Sequence, residues 1–285
     1  MLEKRIEYKG KKLDSSRPKI MGIVNVTPDS FSDGGQYNTL ELAFERVKQM
    51  VLSGASIVDV GGESTRPGSD PVSEQEEIER VVPLVEKISQ ELDVWISVDT
   101  SKPAVMKAAL DAGAHIINDI SALSEPKVVE VVAKYKCPVC LMHMQGDPKT
   151  MQDDPHYEDL IGDISSYLYE RIDACLNAGI SREQIILDPG FGFGKTLDQN
   201  YKLLGQLDRF LSFGLPLLVG MSRKSMIGNL INAKVDDRLV GSIAAHLYAV
   251  HKGANILRVH DVKEMSDALK VYLYADQYSK TKKLY

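Results

Sequence analysis

The sequence contains few cysteines, three in 285 residues, and this small odd number excludes the disulfide framework of a small secreted domain. The first ten residues, MLEKRIEYKG, carry charge from the third position and lack the apolar core of a signal peptide. No apolar run in the sequence approaches about 18 residues, the length that a membrane span requires. We therefore expect a reduced, cytoplasmic protein that has no membrane partner.

An excess of positive charge is also absent. The chain has 34 Lys and Arg against 40 Asp and Glu, which gives a formal net charge of −6. This balance argues against nucleic acid or an anionic membrane as a partner, so an anionic ligand would have to be held by a few local Arg and Lys side chains. The hydrophobic fraction of 44% and the charged fraction of 26% are ordinary for a chain that forms a core.

Two segments have familiar spacings but lack the context that those motifs need. Cys137 and Cys140 (CPVC) lead into VCLMHM, which is typical of a buried strand and not of a helix N-terminus, so we interpret them as packed thiols. The segment GFGFGKT has three residues between Gly190 and Gly194 where a phosphate-binding loop needs four. We expect its glycines to let the backbone turn over a pocket mouth, with Phe193 as a wall.

What the sequence does contain is a repeat of short β-branched apolar runs, each followed by a helical pattern. The eight runs are KIMGIVNV, SIVDV, VWISVD, HIIND, PVCLMHM, QIILD, PLLVGM and NILRVH. Between the first two, Leu40, Phe44 and Val47 recur at helical spacing. Ser73 followed by Glu76 is a capping-box signature before the next helix. Strands this apolar predict a parallel sheet that is covered by helices.

Eight such units in about 250 residues predict a closed (β/α)8 TIM barrel, with a doubly wound open sheet as the alternative. We expect one domain over residues 1–285, with the barrel at about 18–267. The opening RIEYKGKKLDSS, within residues 1–17, predicts a short N-terminal β-hairpin that plugs the bottom of the barrel. Residues 279–285 (SKTKKLY) predict a basic, solvated tail.

Most of the predicted strands end in polar residues. These ends are Asn25, Asp59–Glu63, Asp99, Asn118, His143, Asp188, Ser222–Lys224 and Arg258–His260. In a barrel the chemistry sits where strands end and the following loops begin. Because buried unpaired charges are costly, a purely structural barrel has little reason to carry them there. The pattern predicts a polar pocket at the C-terminal mouth.

The residue types indicate what this pocket binds. Asp99, Asn118 and Asp188 end three different strands and would converge from three sides. Carboxylates that accept from adjacent N–H donors recognise the edge of a planar, guanidine-like heterocycle. Lys224 would then meet a carbonyl or a ring nitrogen on the opposite edge. Since no His and Cys cluster at zinc spacing appears in the sequence, we expect no tightly held transition metal.

Arg258 and His260 follow the last predicted strand. Barrels often bind phosphate at this position, and the amide oxygen of Asn25 is a ligand that suits Mg²⁺. Together these residues predict a binding site for a diphosphate. The alternative for each cation is structural: an Arg or a His here caps a helix or pairs with Asp261.

Eight segments together resemble the bacterial dihydropteroate synthase family. They are NVTPDSFSDGG, GGESTRPGS, VDTSK, INDIS, LMHMQGDP, LDPGFGFGK, SRKSMIG and RVHDV. The resemblance runs in the family's order and spacing from about Pro18 to about Asp267. It implies a transferase that joins 6-hydroxymethyl-7,8-dihydropterin diphosphate to p-aminobenzoate in folate synthesis and releases diphosphate.

The resemblance also implies a role for each matching residue. The pterin diphosphate positions are Thr65, Asp99, Asn118, Asp188, Lys224, Arg258 and His260. The p-aminobenzoate positions are Phe31, Thr65, Arg66, Pro67, Phe193 and Ser225. Asn25 matches the Mg²⁺ contact. The catalytic assignments are Asp99, Asp188, Lys224, Arg258 and His260. Similar proteins are homodimers that sulfonamides inhibit, and their TPDSFSDGG and STRPGS segments close over the second substrate.

Two other functions compete with this one. A methyltetrahydrofolate-dependent methyltransferase would share the Asp and Asn contacts to a pterin, but it would not need SFSDGG, STRPGS and RVH around a diphosphate. A non-catalytic pterin-binding protein should have lost a loop or the leaving-group cations, and this sequence keeps both. These features favour the synthase.

Overall fold

The computed structural model describes residues 5–26, 36–63, 71–147 and 150–279. The strands are β1 (Arg5–Tyr8), β2 (Lys11–Asp14), β3 (Lys19–Asn25), β4 (Ile57–Gly61), β5 (Trp95–Asp99), β6 (Ile116–Asp119), β7 (Val139–Met142), β8 (Ile185–Asp188), β9 (Leu218–Val219) and β10 (Ile256–Val259). The helices are α1 (Gln36–Leu52), α2 (Glu74–Glu91), α3 (Pro103–Asp111), α4 (Pro126–Tyr135), α5 (Leu160–Asn177), α6 (Leu197–Gly205), α7 (Ser225–Ile231), α8 (Leu239–His251) and α9 (Val262–Ser279). None of the helices in these ranges is long and apolar enough to cross a membrane.

Strands β3 to β10 form one parallel sheet in the order β8-β7-β6-β5-β4-β3-β10-β9. The two ends of this order meet at a parallel bridge between Leu187 and Leu217, and the Leu187 amide donates to the Pro216 carbonyl at 2.9 Å. A sheet whose first and last strands bond to each other is a closed barrel. The predicted (β/α)8 barrel is confirmed, and the open doubly wound sheet is wrong.

The helices cover the outside of the barrel with apolar faces. Helix α2 begins as predicted, because the Ser73 hydroxyl accepts from the Glu76 amide at 3.2 Å. Its buried positions include Val81, Val85 and Ile88, which recur at helical spacing on one side. This face packs against the outward side chains of the strands, so each strand is covered on both faces.

The predicted N-terminal hairpin is β1 with β2, paired antiparallel. Ile6 and Leu13 point from it into the barrel and are almost fully buried. They belong to one cluster with the first inward side chains of the strands: Met21, Ile57, Trp95, Ile116, Cys140, Ile186, Leu218 and Ile256. The hairpin therefore plugs the N-terminal end of the barrel, and a ligand has the C-terminal end to enter.

The interior turns polar toward the C-terminal end. Two residues beyond the apolar layer, on the same strand face, five of the eight strands carry a polar side chain: Asp59, Ser97, Asn118, Asp188 and Arg258. Asp59 and Ser97 are register partners on β4 and β5 and are completely buried. The fold thus carries charge and hydrogen-bonding groups into the middle of the barrel, above the plug.

Candidate active site

Arg258 lies at the centre of the polar interior. Its Nε donates to Asp59 Oδ2 at 2.6 Å and its Nη2 donates to Asp99 Oδ2 at 2.7 Å. The Arg258 side chain is 18% exposed, and the Asp59 side chain is fully buried. The planar fork of an arginine suits two such acceptors. The alternative in which Arg258 pairs with Asp261 is wrong, because Arg258 bonds Asp59 and Asp99 and Asp261 accepts from Arg223 Nε at 2.9 Å.

Asp99 and Asp188 are carboxylates that the barrel largely withdraws from solvent. Burial raises the pKa of Asp99 to about 7, although the nearby charge of Arg258 opposes this rise. Burial likewise raises the pKa of Asp188, and the charge of Lys224 opposes the rise. The Gly190 amide donates to Asp188 Oδ1 at 2.8 Å. Both groups are therefore poised to respond to a ligand that brings N–H donors.

Asn118 presents one side of its amide to the protein. Its Nδ2 donates to Asp59 Oδ2 at 3.1 Å. Because an ionised carboxylate only accepts hydrogen bonds, this contact makes Nδ2 the atom that faces Asp59. The remaining Oδ1 is an acceptor for a ligand, in the same interior as Asp99 and Asp188.

Lys224 places its own amino group beside this set of acceptors. Its Nζ donates to the Phe191 carbonyl at 2.6 Å and lies 4.6 Å from the centroid of the Phe193 ring. Burial lowers the pKa of Lys224 to about 8, and the charge of Asp188 opposes this fall. Phe193 itself is 9% exposed and packs with Met142 and Met151. A flat aromatic wall therefore stands beside the ammonium group.

His260 and Ser225 lie at the rim. The His260 Nδ1 is 3.0 Å from Ser222 Oγ, and its backbone N–H donates to the same oxygen at 3.1 Å. Ser225 is exposed and is the first residue of α7. His260 directly follows β10, the strand that carries Arg258, so both residues lie on one side of the mouth.

Asn25 ends β3 and is exposed. A Cβ atom added at Gly61 would lie 3.6 Å from Asn25 Oδ1 and 3.7 Å from Asp99 Cβ. The glycine thus leaves open the space between the amide oxygen and the Asp99 side chain. Mg²⁺ accepts oxygen ligands and commonly keeps several waters, so this donor set fits the ion. In the described residues no three His, Cys, Asp or Glu side chains cluster as a metal cage.

Four predicted site residues, Phe31, Thr65, Arg66 and Pro67, lie outside the described residues. Described residues on either side of segment 64–70 are bonded by one side chain, that of Lys102. Lys102 Nζ pairs with Glu63, donates to the Val72 carbonyl at 2.7 Å and to Glu77 Oε2 at 2.6 Å.

Sequence reasoning missed two buried charged residues. Asp59 was noted as part of a polar strand end, but its period-two spacing from Ile57 already indicated that it faces inward. Lys195, in the glycine-rich segment, is 3% exposed, and only its context of small and apolar neighbours hinted at burial. The three cysteines are all buried thiols, as interpreted for Cys137 and Cys140.

Asp59 and Ser97 also leave buried oxygens for a ligand or water to satisfy. Asp59 Oδ1 and Ser97 Oγ have no hydrogen-bond partner within the part of the chain that the structure describes. Buried polar atoms normally find a partner. The barrel interior therefore offers hydrogen-bonding sites in addition to those of Asp99, Asn118 and Asp188.

Comparison with known proteins places this site in a family. A family model described as "Pterin binding enzyme" matches residues 21–260. The dihydropteroate synthase of Escherichia coli K12 is 56% identical over 262 residues, which are 92% of this chain and 93% of that protein.

Solved structures agree with the sequence matches. The dihydropteroate synthase of Yersinia pestis, solved with a sulfonamide drug complex, is 53% identical with a TM-score of 0.92, covering 96% of this chain and 99% of that one. The Xanthomonas albilineans enzyme, solved with 4-aminobenzoic acid, is 45% identical with a TM-score of 0.91, covering 96% and 98%. On its sequence, fold and matching length, the chain belongs to the pterin-binding enzymes and, among them, to the dihydropteroate synthases.

Proposed function

We propose that the polar interior of the barrel binds the pterin ring of 6-hydroxymethyl-7,8-dihydropterin diphosphate. The observation that carries this proposal is the grouping of three acceptor side chains, Asp99, Asn118 and Asp188, with one partly buried cation, Lys224. The 2-amino group and ring N–H groups of a pterin present adjacent donors, and its carbonyl is an acceptor. Acceptors on three strands and one ammonium group match that pattern.

The diphosphate of this substrate would lie toward Arg258 and His260, with Thr65 beside it. Support comes from the position of Arg258 on β10 with His260 directly after it, and from the pairing of Arg258 with two carboxylates. A diphosphate is a further anion that competes for the guanidinium. When Arg258 turns part of its hydrogen bonding toward the leaving group, the charge on Asp99 becomes available to the pterin.

Mg²⁺ would be held by Asn25 together with oxygens of the diphosphate. The amide oxygen and the open space over Gly61 support this assignment. When bound, the ion neutralises negative charge that grows on a departing diphosphate.

The second substrate, p-aminobenzoate, would lie at the mouth against Phe193 and Ser225. Phe31, Thr65, Arg66 and Pro67 complete this site in the assignment made from the sequence. Support comes from the Phe193 ring beside Lys224 and from the 4-aminobenzoic acid in the structure of the Xanthomonas relative. An aromatic ring packs on Phe193, and Arg66 suits the carboxylate of the amine.

The reaction breaks the C–O bond between the pterin methylene and the diphosphate and forms a C–N bond to the amine. Diphosphate leaves with the bonding electron pair, and the amine nitrogen attacks the methylene carbon and loses a proton. Asp99 and Asp188 stabilise positive charge that develops on the ring, which strengthens their contacts in the transition state. Arg258 and His260 stabilise the leaving group. No activated protein nucleophile takes part.

We also propose a homodimer in the cytoplasm. Large apolar side chains on α8 and α9 are exposed, among them Val240, Val271 and Tyr274. Exposed large apolar side chains on two helices favour an interface when they lie together, and a second copy would cover them. Measuring the mass in solution by light scattering checks this, and a monomer at micromolar concentration would contradict it.

The function is tested by diphosphate release from dihydropterin diphosphate with Mg²⁺, measured with and without p-aminobenzoate. We expect release that depends on the amine, with dihydropteroate as the product. Pterin binding without release would instead favour a binding protein. Methyl transfer from methyltetrahydrofolate, without diphosphate release, would favour the methyltransferase.

A further inference from the structure

Lys195 is a buried lysine that has no part in the reaction described above. It lies in the loop after β8, defined here as the glycine-rich loop, residues 189–196, and its side chain is 3% exposed. Burying an ammonium group is costly, and this burial lowers the pKa of Lys195 to about 7, although the charge of Asp188 opposes the fall. The contacts of Lys195 should therefore show which groups compensate for the loss of hydration and what its side chain stabilises.

Lys195 has three polar partners at Nζ, enough for each proton of its charged form. Its Nζ donates to the Gly190 carbonyl at 2.8 Å and to the Phe193 carbonyl at 3.0 Å, and it lies 3.0 Å from His143 Nδ1. Burial lowers the pKa of His143 to about 3, so its ring is neutral and Nδ1 can accept. One side chain thus bonds both ends of the turn that precedes it.

This turn is not stabilised by the regular backbone hydrogen bonds of a helix or a strand. Gly190, Gly192 and Gly194 all have positive φ, at 73°, 79° and 60°, a conformation that other residues rarely adopt. The Phe193 backbone N–H donates to the Gly190 carbonyl at 3.2 Å, and side chains also bond the carbonyl groups of the turn. Besides the two bonds from Lys195, Gln152 Nε2 donates to the Gly192 carbonyl at 2.6 Å and Tyr157 Oη donates to the Gly194 carbonyl at 2.8 Å.

His143 connects Lys195 to the barrel itself. It directly follows β7, and its backbone N–H donates to the Asp188 carbonyl at 2.9 Å. Its ring packs edge-on against Tyr167 with the centroids 5.0 Å apart. Lys195 therefore connects the glycine-rich loop to His143. His143 in turn bonds the Asp188 carbonyl at the end of β8 and packs against Tyr167.

Phe193 is the residue of this loop that faces the site. Its carbonyl accepts from Lys195, while its ring lies 4.6 Å from Lys224 Nζ. The neighbouring Phe191 carbonyl accepts from Lys224 at 2.6 Å. Two lysines thus bond backbone carbonyl groups of this loop. Lys195 bonds those of Gly190 and Phe193, and Lys224 bonds that of Phe191 from within the site.

We propose that Lys195 is a positioning residue for the aromatic amine substrate: by bonding Gly190, Phe193 and His143 it holds the Phe193 ring at the place where that substrate packs. This inference rests on the proposed role of Phe193 in p-aminobenzoate binding. Lys195 acts through Phe193 and does not itself touch either substrate. It therefore belongs to the supporting structure of the site, where small displacements of a contacting ring weaken binding.

The test is Lys195→Met, which keeps a similar length and removes all three hydrogen bonds. We expect KM for p-aminobenzoate to rise about tenfold or more. The Kd of dihydropterin diphosphate, measured by calorimetry, should stay within about twofold of the original value. If Lys195→Met does not fold, Lys195→Gln, which retains two N–H donors, takes its place, with a smaller rise in the same constant.

Phe193→Ala separates this inference from the function on which it rests. If Lys195 acts through the ring, Lys195→Met in the Phe193→Ala protein should change KM for the amine by less than about twofold, because the two changes are not additive. An unchanged KM in Phe193→Ala would overturn the proposed role of Phe193. A raised KM in Phe193→Ala with an unchanged KM in Lys195→Met would overturn the inference alone.

Lys9→Met is the matched control for a purely structural effect. Lys9 also donates from its ammonium group to a backbone carbonyl, that of Leu110, at 2.9 Å, but it lies in the hairpin at the opposite end of the barrel. We expect it to leave both substrate constants unchanged. Equal losses of pterin and amine binding in Lys195→Met would indicate a general disturbance and would contradict a role in positioning Phe193.

Discussion

Asp59 and Asp99, on the neighbouring strands β4 and β5, bind the same guanidinium group, that of Arg258. Burial is the largest cause that raises the pKa of Asp99 to about 7; the charge of Arg258 opposes this rise, and the charge of Asp59 adds to it. Arg258 therefore has a role within the fold itself, as the partner of both carboxylates.

Asp99 should make the stability of the free protein depend on pH. Its pKa is about 7 in the fold against an ordinary value of 3.8, so between these values the folded state binds more protons than the unfolded state. The free energy of unfolding should therefore fall through this group as pH rises from about 4 to about 7, and be unaffected by it above. Asp99→Asn should remove this contribution.

Urea denaturation at pH 5 and pH 8 measures the free energy of unfolding of the original protein and of Asp99→Asn. Because all other titrating groups are the same in the two proteins, their contributions cancel in the comparison. The original protein should lose more stability between these pH values than Asp99→Asn does. Equal losses would show that Asp99 titrates near its ordinary pKa and remains an ion pair throughout.

Asp188→Ala should weaken pterin binding at least about tenfold, because it removes a charged acceptor worth about 1.5–3 kcal/mol. The apolar layers and the hairpin plug do not depend on Asp188, so the fold should survive. Calorimetry gives the affinity, and circular dichroism gives the fold. Asp173→Ala, which changes an exposed carboxylate on α5, is the control. Unaltered pterin affinity in Asp188→Ala would contradict the assignment of the pterin site.

Arg66→Ala should leave pterin binding intact and lower turnover with p-aminobenzoate by about tenfold or more, since it removes one charged hydrogen bond to the amine's carboxylate. Binding of dihydropterin diphosphate and steady-state kinetics in the amine separate the two effects. Arg46→Ala, an exposed arginine of α1, serves for comparison. A loss confined to the pterin would place Arg66 at the other substrate.

Asn25→Ala should raise the Mg²⁺ concentration needed for half-maximal diphosphate release about tenfold. The ion should also lose its effect on inorganic diphosphate binding, which calorimetry measures without any reaction. Asn25→Asp keeps the oxygen ligand and adds charge, so we expect it to bind Mg²⁺ at least as tightly. If Asn25→Ala keeps the original Mg²⁺ dependence, the ion is held elsewhere.

Gly190→Ala should destabilise the glycine-rich loop severely. The added Cβ would lie 1.8 Å from the His143 carbonyl oxygen, at a backbone φ of +73°, so both space and conformation oppose it. Gly205→Ala is the matched control, because a Cβ there meets nothing within 4 Å and lies in α6. Thermal unfolding should show a clear loss for the first and little change for the second. Equal melting temperatures would contradict the tight contact between Gly190 and His143.

Much of the fold could be predicted from local patterns. Apolar runs such as SIVDV and VWISVD separate cleanly from helical spacings such as that of Leu40, Phe44 and Val47, and eight repeats allow few architectures. The polar strand ends predicted the side of the barrel that binds a ligand, since parallel strands all end at the same edge. The capping signature at Ser73 is equally local and was confirmed.

The partners of those polar residues could not be predicted in the same way. Arg258 meets Asp59 across 199 positions of sequence, and this contact exists only because β10 and β4 flank β3 in the closed sheet. Whether Arg258 pairs with Asp261 or with two carboxylates inside the barrel depends on which way its side chain points, and the neighbouring residues do not determine that.

The sequence by itself determined the barrel, its plugged and open ends and the residue types at the open end, because hydrophobic periodicity and strand direction are properties of short segments. Only the tertiary structure decided that one guanidinium serves two carboxylates, that Asn118 turns its Nδ2 to Asp59, and that Lys195 is buried with three acceptors. Hydrogen bonding and desolvation depend on which groups face one another across the closed barrel. That arrangement arises only when all eight strands have assembled.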